Sequence, residues 1–382
     1  MIYFDNAATT PCRQEVFEAM QFASFKCFFN PAALYPHAIQ AENLVKSSKE
    51  NIAGIINAKA DEIFITSGGT ESINTAIYGA CDYKKPKHFV SSIMEHSAAH
   101  NCLLEVEKMG NTVSFIGSDK RGHILMEDIE KTVTKDTVLF NLIYVNNEIG
   151  VIQDVKTVTR LVKKCNPKCY VHLDATQALG KMRIDVEDLG IDLLSASAHK
   201  FNGPKGVGLL YKKKGCNIKP LIVGGGQQSG FRSGTENVAG TLGLSVALTL
   251  AYDDFERKKD ALKELKSHFV DMASKIDGII INSPLADDYS DSIVSVSIKD
   301  VRSEVLLNEL SRYEICISAG SACHSHEKNT GSRTLESIGI PKELQKGTVR
   351  FSFSHDNTTD EIDFAVEKLK DAVEELKKYV RR

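Results

Sequence analysis

Two residues 26 positions apart frame the chemistry open to this chain. Lys200 stands in Ser195-Ala-Ser-Ala-His-Lys-Phe-Asn-Gly-Pro-Lys-Gly206, after small residues and before a Gly-Pro turn. A lysine in a snug pocket can form a Schiff base with a carbonyl, provided its amine is held neutral. Asp174 closes the run Tyr170-Val-His-Leu-Asp174, at the end of a strand where open α/β sheets bind ligands. A buried carboxylate there needs a cationic partner, and a pyridinium nitrogen is one. Alone, a strand-end Asp is an ordinary turn cap and a lysine near a turn an ordinary surface residue. As a pair they meet the requirement of pyridoxal 5′-phosphate, which takes a Schiff-base lysine and an Asp at its ring nitrogen.

Two further segments carry chemistry. Ser67-Gly-Gly-Thr-Glu-Ser72 follows a strand-like run and opens a helix, so free N–H groups and the helix dipole can hold a phosphate. It is neither a Walker loop nor GxGxxG. Ser318-Ala-Gly-Ser-Ala-Cys-His-Ser-His326 sets Cys323 among small residues after a strand. A thiol that attacks a bound substrate and then delivers its cargo needs such a loop. An ordinary loop cysteine, or a metal site formed with His324 and His326, is the alternative. Cys165 and Cys169, four apart with Pro167 between them, pose a similar weak metal alternative.

These residues must be positioned by alternating strands and helices. Helical spacing of Ile39, Leu44, Val45, Ile52, Ile55 and Ile56 predicts a long amphipathic helix. Strands are expected at 62–66, 89–92, 113–116, 138–144, 170–173, 193–197 and 207–211, with helices between most of them, for example at 155–164. That alternation predicts an α/β fold with a mostly parallel seven-stranded sheet covered on both faces. After about residue 253 the texture changes. A charged helix at 254–275, strands at 293–298, 315–318 and 348–353, and helices at 303–313 and 359–380 predict a smaller α+β unit. The expected division is 16–253 for the larger domain, and 1–15 with 254–382 for the smaller one carrying the Cys323 loop.

The 382 residues exceed what one core usually serves. The 47 basic and 50 acidic side chains leave a net charge of −3, so no basic field invites direct contact with nucleic acid or an anionic membrane. The stretch Val238–Ala251 is too short and too small in its side chains to span a bilayer. Nine cysteines without an export signal read as reduced cytoplasmic thiols, not as a disulfide framework.

Ten ordered blocks together resemble the cysteine desulfurases of the NifS/IscS type, within the fold-type I, class V aminotransferase-like enzymes. They are Tyr3-Phe-Asp-Asn-Ala-Ala-Thr-Thr-Pro11, Asn30-Pro31, Thr66-Ser-Gly-Gly-Thr-Glu-Ser72, Glu95-His96, Val145-Asn-Asn-Glu-Ile-Gly150, Asp174-Ala-Thr-Gln177, His199-Lys200, Arg232-Ser-Gly-Thr235, Gly320-Ser-Ala-Cys323 and Val349-Arg-Phe-Ser352. The resemblance implies a fold-type I transferase with pyridoxal 5′-phosphate as cofactor and L-cysteine as substrate. It implies that Lys200 carries the cofactor and moves protons at the substrate Cα, and that His96 stacks on the ring and assists proton transfer. Asp174 would hold the ring nitrogen protonated, and Gln177 would bond the ring hydroxyl oxygen. Gly69 belongs to the phosphate turn; Thr70, Ser197 and His199 would bind the phosphate, with Thr235 reaching in from the neighbouring subunit of a homodimer. Arg350 would clamp the substrate carboxylate, with Asn30 and Asn147 beside the substrate. Cys323 would take the sulfur as a persulfide and pass it to an acceptor protein, an iron–sulfur scaffold or a sulfur relay protein, for cluster assembly or tRNA thiolation.

The chain departs from the family's pattern in places. Phe29 stands where Gly usually precedes Asn-Pro, His37 is followed by Ala38-Ile39-Gln40, and His324 replaces a common Thr. A selenocysteine lyase or another class V aminotransferase-like enzyme shares the fold, and a catalytically dead sulfur-relay or scaffold protein is the reading from outside enzymes.

Overall fold

The computed structural model describes residues 1–82, 85–320 and 331–380. Its first element is a two-residue strand, β1 (Ile2–Tyr3). Seven strands then build one sheet: β2 (Ile63–Thr66), β3 (His88–Ser92), β4 (Thr112–Ile116), β5 (Thr137–Ile143), β6 (Tyr170–Asp174), β7 (Leu193–Ser197) and β8 (Gly208–Lys212). Their order is β2-β8-β7-β6-β5-β3-β4. The pairs from β7 to β4 are parallel, and β8 runs antiparallel to both neighbours. The mostly parallel α/β sheet expected from the sequence is therefore present.

Both faces of that sheet are buried, and its strands accordingly read as near-continuous apolar runs. The helix Val155–Cys165 shows how a crossover is made. Val155, Val158, Thr159 and Val162 recur at helical spacing and are buried, and the Asp154 carboxylate accepts from the Thr157 N–H at 3.1 Å. Pro36 at the first turn starts the long helix Pro36–Ile55, which packs with Gln14–Lys26 against the apolar helix Val238–Tyr252.

One row of buried polar side chains crosses the sheet. Asn141 Nδ2 donates to Ser91 Oγ at 2.9 Å, His172 Nδ1 pairs with Asn141 Oδ1 at 2.6 Å, and His172 Nε2 pairs with Ser195 Oγ at 2.8 Å. All four residues are fully buried. Asn141 Oδ1 can only accept, so Nδ1 carries the proton of a neutral ring and Nε2 accepts from the serine.

The edge of β2 is closed by a side chain. Gln228 accepts from the Ile65 N–H at 2.7 Å and donates to the Ile65 carbonyl at 2.8 Å, as a neighbouring strand would. Gln228 (φ 48°) and Ser229 (φ 59°) hold left-handed backbone to do so.

A second core forms around β9 (Ile279–Ile281), β10 (Ile293–Ile298), β11 (Ile315–Cys316), β12 (Ser318–Ala319) and β13 (Thr348–Ser352). The order β12-β13-β10-β9 is antiparallel, while β11 pairs with β1 in parallel, Ile2 opposite Ile315. The single strand expected at 315–318 is thus two short ones in different sheets. Helices Phe255–Ala273, Ser303–Ser311 and Thr359–Val380 cover this core. Phe4, from the other end of the chain, is fully buried in it. Its ring lies 5.1 Å from Phe353, edge-on, and 6.5 Å from Phe351. No described helix is long and apolar enough to cross a membrane.

Because Phe4 fills the smaller core from outside it, Phe4→Ala should cost about 3–5 kcal/mol of stability. Denaturant unfolding read by near-ultraviolet circular dichroism checks this; a loss under about 1 kcal/mol would mean that the core closes without it.

Candidate active site

A cavity of about 380 Å³ opens at the carboxyl ends of the parallel strands, the place where sheets of this kind take ligands. Asp174 ends β6 and is 2% exposed, and its Oδ1 accepts from the Thr176 N–H at 2.9 Å. On the next strand, Ser197 ends β7, and the short turn Ala198–Lys200 carries His199 and Lys200 into the cavity. Gln177 follows Asp174 by three residues on the same wall.

The helix Gly69–Gly79 points its N-terminus at the cavity. No side chain caps that end, so its free N–H groups face the space between Thr70 and Ser197. Close packing dictates the glycines here. A Cβ on Gly208 of β8 would lie 2.5 Å from Gly68 Cα, and one on Gly69 would lie 3.1 Å from Thr176 Oγ1. The Thr176 hydroxyl is buried and has no protein partner among the described residues.

His96 caps the helix Ser97–Lys108. Its Nδ1 accepts from the Ala98 N–H at 3.1 Å, which leaves the ring proton on Nε2 in the neutral form. His199 Nδ1 pairs with Thr9 Oγ1 at 3.1 Å. Burial, then the nearby charges of Lys200 and Lys205, push its imidazole down to about 4, so it enters neutral solution uncharged.

The lysine is held by the N-terminal segment. Lys200 Nζ donates to the Ala7 carbonyl at 2.6 Å and the Ala8 carbonyl at 2.8 Å. Gln177 Nε2 donates to the same Ala7 carbonyl at 2.8 Å. Arg350, on β13 and 5% exposed, donates to the Asn147 carbonyl at 2.7 Å and to Asp5 Oδ1 at 2.9 Å. Its buried Nε has no acceptor among the described residues, which suits a donor kept for a ligand.

Gly69, Thr70, His96, Asn147, Asp174, Gln177, Ser197, His199, Lys200 and Arg350 all line this one cavity. Asn30 does not. It is exposed on the loop before the helix Pro36–Ile55, where its Oδ1 accepts from the Ala32 N–H at 3.0 Å and so serves its own turn. Thr235 is also exposed and away from the cavity of its own chain. Cys323, with His324 and His326, lies outside the described residues. The segments flanking that stretch are described: Ser318 of β12 pairs with Arg350, and the Ser332 hydroxyl donates to Glu148 at 2.5 Å. The sequence motifs assign no role to Ala7, Ala8 or Thr176, which also line the cavity. Two of them act through backbone carbonyls, which no side-chain motif reports. Of the cysteine pair, Cys169 is buried and its thiol is pushed up to about 12 by burial, which suits a packed side chain better than a ligand.

The model of the class V aminotransferase family matches residues 2–364. The chain belongs to the class V aminotransferase family. Within it the chain is of the NifS/IscS type, and curated relatives match it nearly end to end. The cysteine desulfurase IscS of Dictyoglomus turgidum is 37% identical over 98% of this chain and 95% of its own length. That of Clostridium botulinum is 38% identical over 96% and 93%. Among solved structures, a NifS-like protein superposes with a TM-score of 0.91 at 34% identity, over 97% of this chain and 98% of its own. SspA in complex with cysteine gives a TM-score of 0.83 at 30% identity, over 94% and 100%.

Class V aminotransferases are pyridoxal-phosphate enzymes, and this cavity accommodates that group. An uncapped helix end, the orphaned Thr176 hydroxyl and the Ser197 and Thr70 hydroxyls suit a phosphate. A buried carboxylate at Asp174 suits a protonated ring nitrogen, and the Lys200 amine an aldehyde.

The polar row beneath Asp174 makes a pH prediction. Burial pushes His172 down to about 3, whereas an unfolded histidine titrates near 6.5. The unfolded chain therefore takes up the proton first, so stability is full above pH 6.5 and falls as pH drops from about 6.5 towards 3. The expected slope from this residue is about 1.4 kcal/mol per pH unit. Unfolding free energies of the wild type and His172→Gln at pH 7.5 and 5.5 should converge towards the acid side; parallel curves would contradict the assignment.

Proposed function

We propose that this protein is a cysteine desulfurase that binds pyridoxal 5′-phosphate and converts L-cysteine to L-alanine, with the sulfur carried as a persulfide on Cys323. The observation that carries the reading is the convergence of Lys200, Asp174, His96 and Arg350 on one cavity whose remaining wall is an uncapped helix end. When bound, the cofactor supplies an aldehyde that accepts an amine and a ring that withdraws electrons from the substrate Cα.

The residues of the chain divide the remaining work. Asp174 holds a proton on the ring nitrogen from a site where water is nearly excluded. Gln177 would donate to the ring hydroxyl oxygen, and Gly69, Thr70, Ser197 and His199 would hold the phosphate. His96, with its proton on Nε2, would lie against the cofactor ring and serve as a donor there. Lys200 would hold the cofactor through its amine and, as the base of the site, would take the proton from the substrate Cα and return one as alanine forms. Arg350 binds the substrate carboxylate; Asp5 and the Asn147 carbonyl fix its guanidinium plane while Nε stays open. The Cys323 thiolate attacks the substrate sulfur, a new S–S bond replaces the substrate C–S bond, and the carbon side leaves as alanine. The described flanks support its access: one is paired with Arg350, the other bonded beside Asn147.

A homodimer is part of the reading. Thr235 and Asn30 lie exposed, available to a second copy's cavity. Phe17, Phe22, Phe25, Phe28 and Leu34 leave an apolar face over residues 17–34 that water disfavours. The sulfur acceptor is an iron–sulfur scaffold or a sulfur relay protein, and the setting is cytoplasmic.

The purified protein should show a visible absorption band that Lys200→Ala abolishes. With L-cysteine and a reductant, the wild type should form alanine and sulfide in equal amounts. Cys323→Ala should keep the band and lose at least 100-fold in turnover. A colourless wild type contradicts the whole reading, and full sulfide release by Cys323→Ala moves the chemistry to a lyase that eliminates sulfur directly. In Arg350→Lys, KM for L-cysteine should rise about tenfold or more, because a point charge replaces a bidentate fork.

A further inference from the structure

We infer that Lys181 is a positioning residue for this site, one that orients Gln177 and sets the electrostatic field felt by the Lys200 nitrogen. The inference rests on the proposed role of Lys200 as the cofactor-bearing lysine. Lys181 lies behind the cavity wall, on the turn that follows Asp174 and Gln177, outside the residues lining the cavity itself.

Its hydrogen bonds run straight to the site. Lys181 Nζ donates to Gln177 Oε1 at 3.3 Å, Gln177 Nε2 donates to the Ala7 carbonyl at 2.8 Å, and Lys200 Nζ donates to that same carbonyl at 2.6 Å. An ammonium can only donate. It therefore turns the Gln177 oxygen towards itself and the Gln177 NH2 towards Ala7 and the cavity. The Ala7 carbonyl, which can only accept, sets the same orientation from the NH2 end, so Lys181 holds at its oxygen an amide that would otherwise be held at one end alone.

The charge has a second effect. Burial first, and then the charges of Lys200 on its turn and Arg350 on β13, push the Lys181 ammonium down to about 7. Repulsion is mutual, so Lys181 disfavours a proton on the Lys200 nitrogen as Lys200 disfavours one on Lys181. Across a small cavity of about 50 Å³, Lys258 and Lys259 of the helix Phe255–Ala273 and His355 after β13 also face it. On its other side, Glu256, Asp287 and Asp291, with Arg183 and Lys263, line a wider cleft. No carboxylate forms an ion pair with Lys181 within 4 Å among the described residues. Helix Val238–Tyr252 contributes Tyr252, whose hydroxyl binds the adjoining Gly180 N–H and Met182 carbonyl. Lys181 and Lys200 both line the small cavity, whose described lining holds cations and no carboxylate, while Asp174 faces Lys200 from the larger one; a cationic neighbour on that side helps keep a lysine amine available as a base.

The test is a pH titration of the visible band of the holoenzyme, which follows protonation at the Lys200 nitrogen. Lys181→Met should raise the titration midpoint by about one pH unit, a tenfold gain in proton affinity. Lys181→Arg should keep it within a few tenths of a unit. Lys181→Gln, neutral and polar, should repeat the Met shift, and serves if the Met variant does not fold. A thermal midpoint measured beside each titration separates packing from field. A lower thermal midpoint with an unmoved titration in both neutral variants overturns the inference while leaving the proposed function intact. A wild type with no visible band overturns both.

Discussion

The segment Asp5–Thr10 is the constraint on which this structure turns. It carries no secondary structure of length, yet it ties both cores and the cavity together. Asn6 donates to the Ser352 carbonyl and the Ala7 N–H to the Ser352 hydroxyl, which fixes the segment to β13. Thr10 bonds the His199 carbonyl and accepts from the Asn202 N–H, which fixes it to the lysine turn. Between those anchors, Ala7 and Ala8 face Lys200, and Asp5 faces Arg350. Small side chains at 7 and 8 let the backbone itself come within hydrogen-bond reach of an ammonium. The two cations that matter are thereby set from one strip of main chain.

Around that strip the site is arranged by which groups may carry charge. Asp174, Arg350 and Lys200 supply its carboxylate, guanidinium and amine. His96 and His199 are kept as neutral rings, one by donating nothing to its cap at Nδ1 and the other by burial beside cations. Glu95, beside His96, is fully enclosed, and burial lifts it to about 8, so it stands as a neutral acid and adds no anion to compete with Asp174. The Ser91–Asn141–His172–Ser195 row keeps the sheet rigid under Asp174 without adding charge.

Much of this was legible in the sequence because it is local. The strand periods, the glycine turn before the helix at 69–79 and the Asp174 and Lys200 positions each sit inside one short motif. The family's ordered blocks then named their roles. What was not legible depends on contacts between distant residues or on backbone groups. Ala7 and Ala8 act through carbonyls that any residue possesses. The division of 315–318 into two strands follows from pairing with β1 on one side and β13 on the other, which no local pattern encodes. Asn30 was expected beside the substrate, and within one chain its side chain is committed to its own turn. Cys323, expected to take the sulfur, lies outside the described residues.

The parallel pairing of β1 with β11 sets a timetable for synthesis. Ile2 is made first and finds its partner, Ile315, 313 positions later. At ribosomal speeds of roughly 5–20 residues per second, the N-terminal strand waits about 15–60 s for it. The seven-stranded sheet, complete at Lys212, can collapse well before then, but the carbonyls that hold Lys200 belong to a segment still unanchored at its start. A nascent chain can thus own a formed sheet without owning a formed active site.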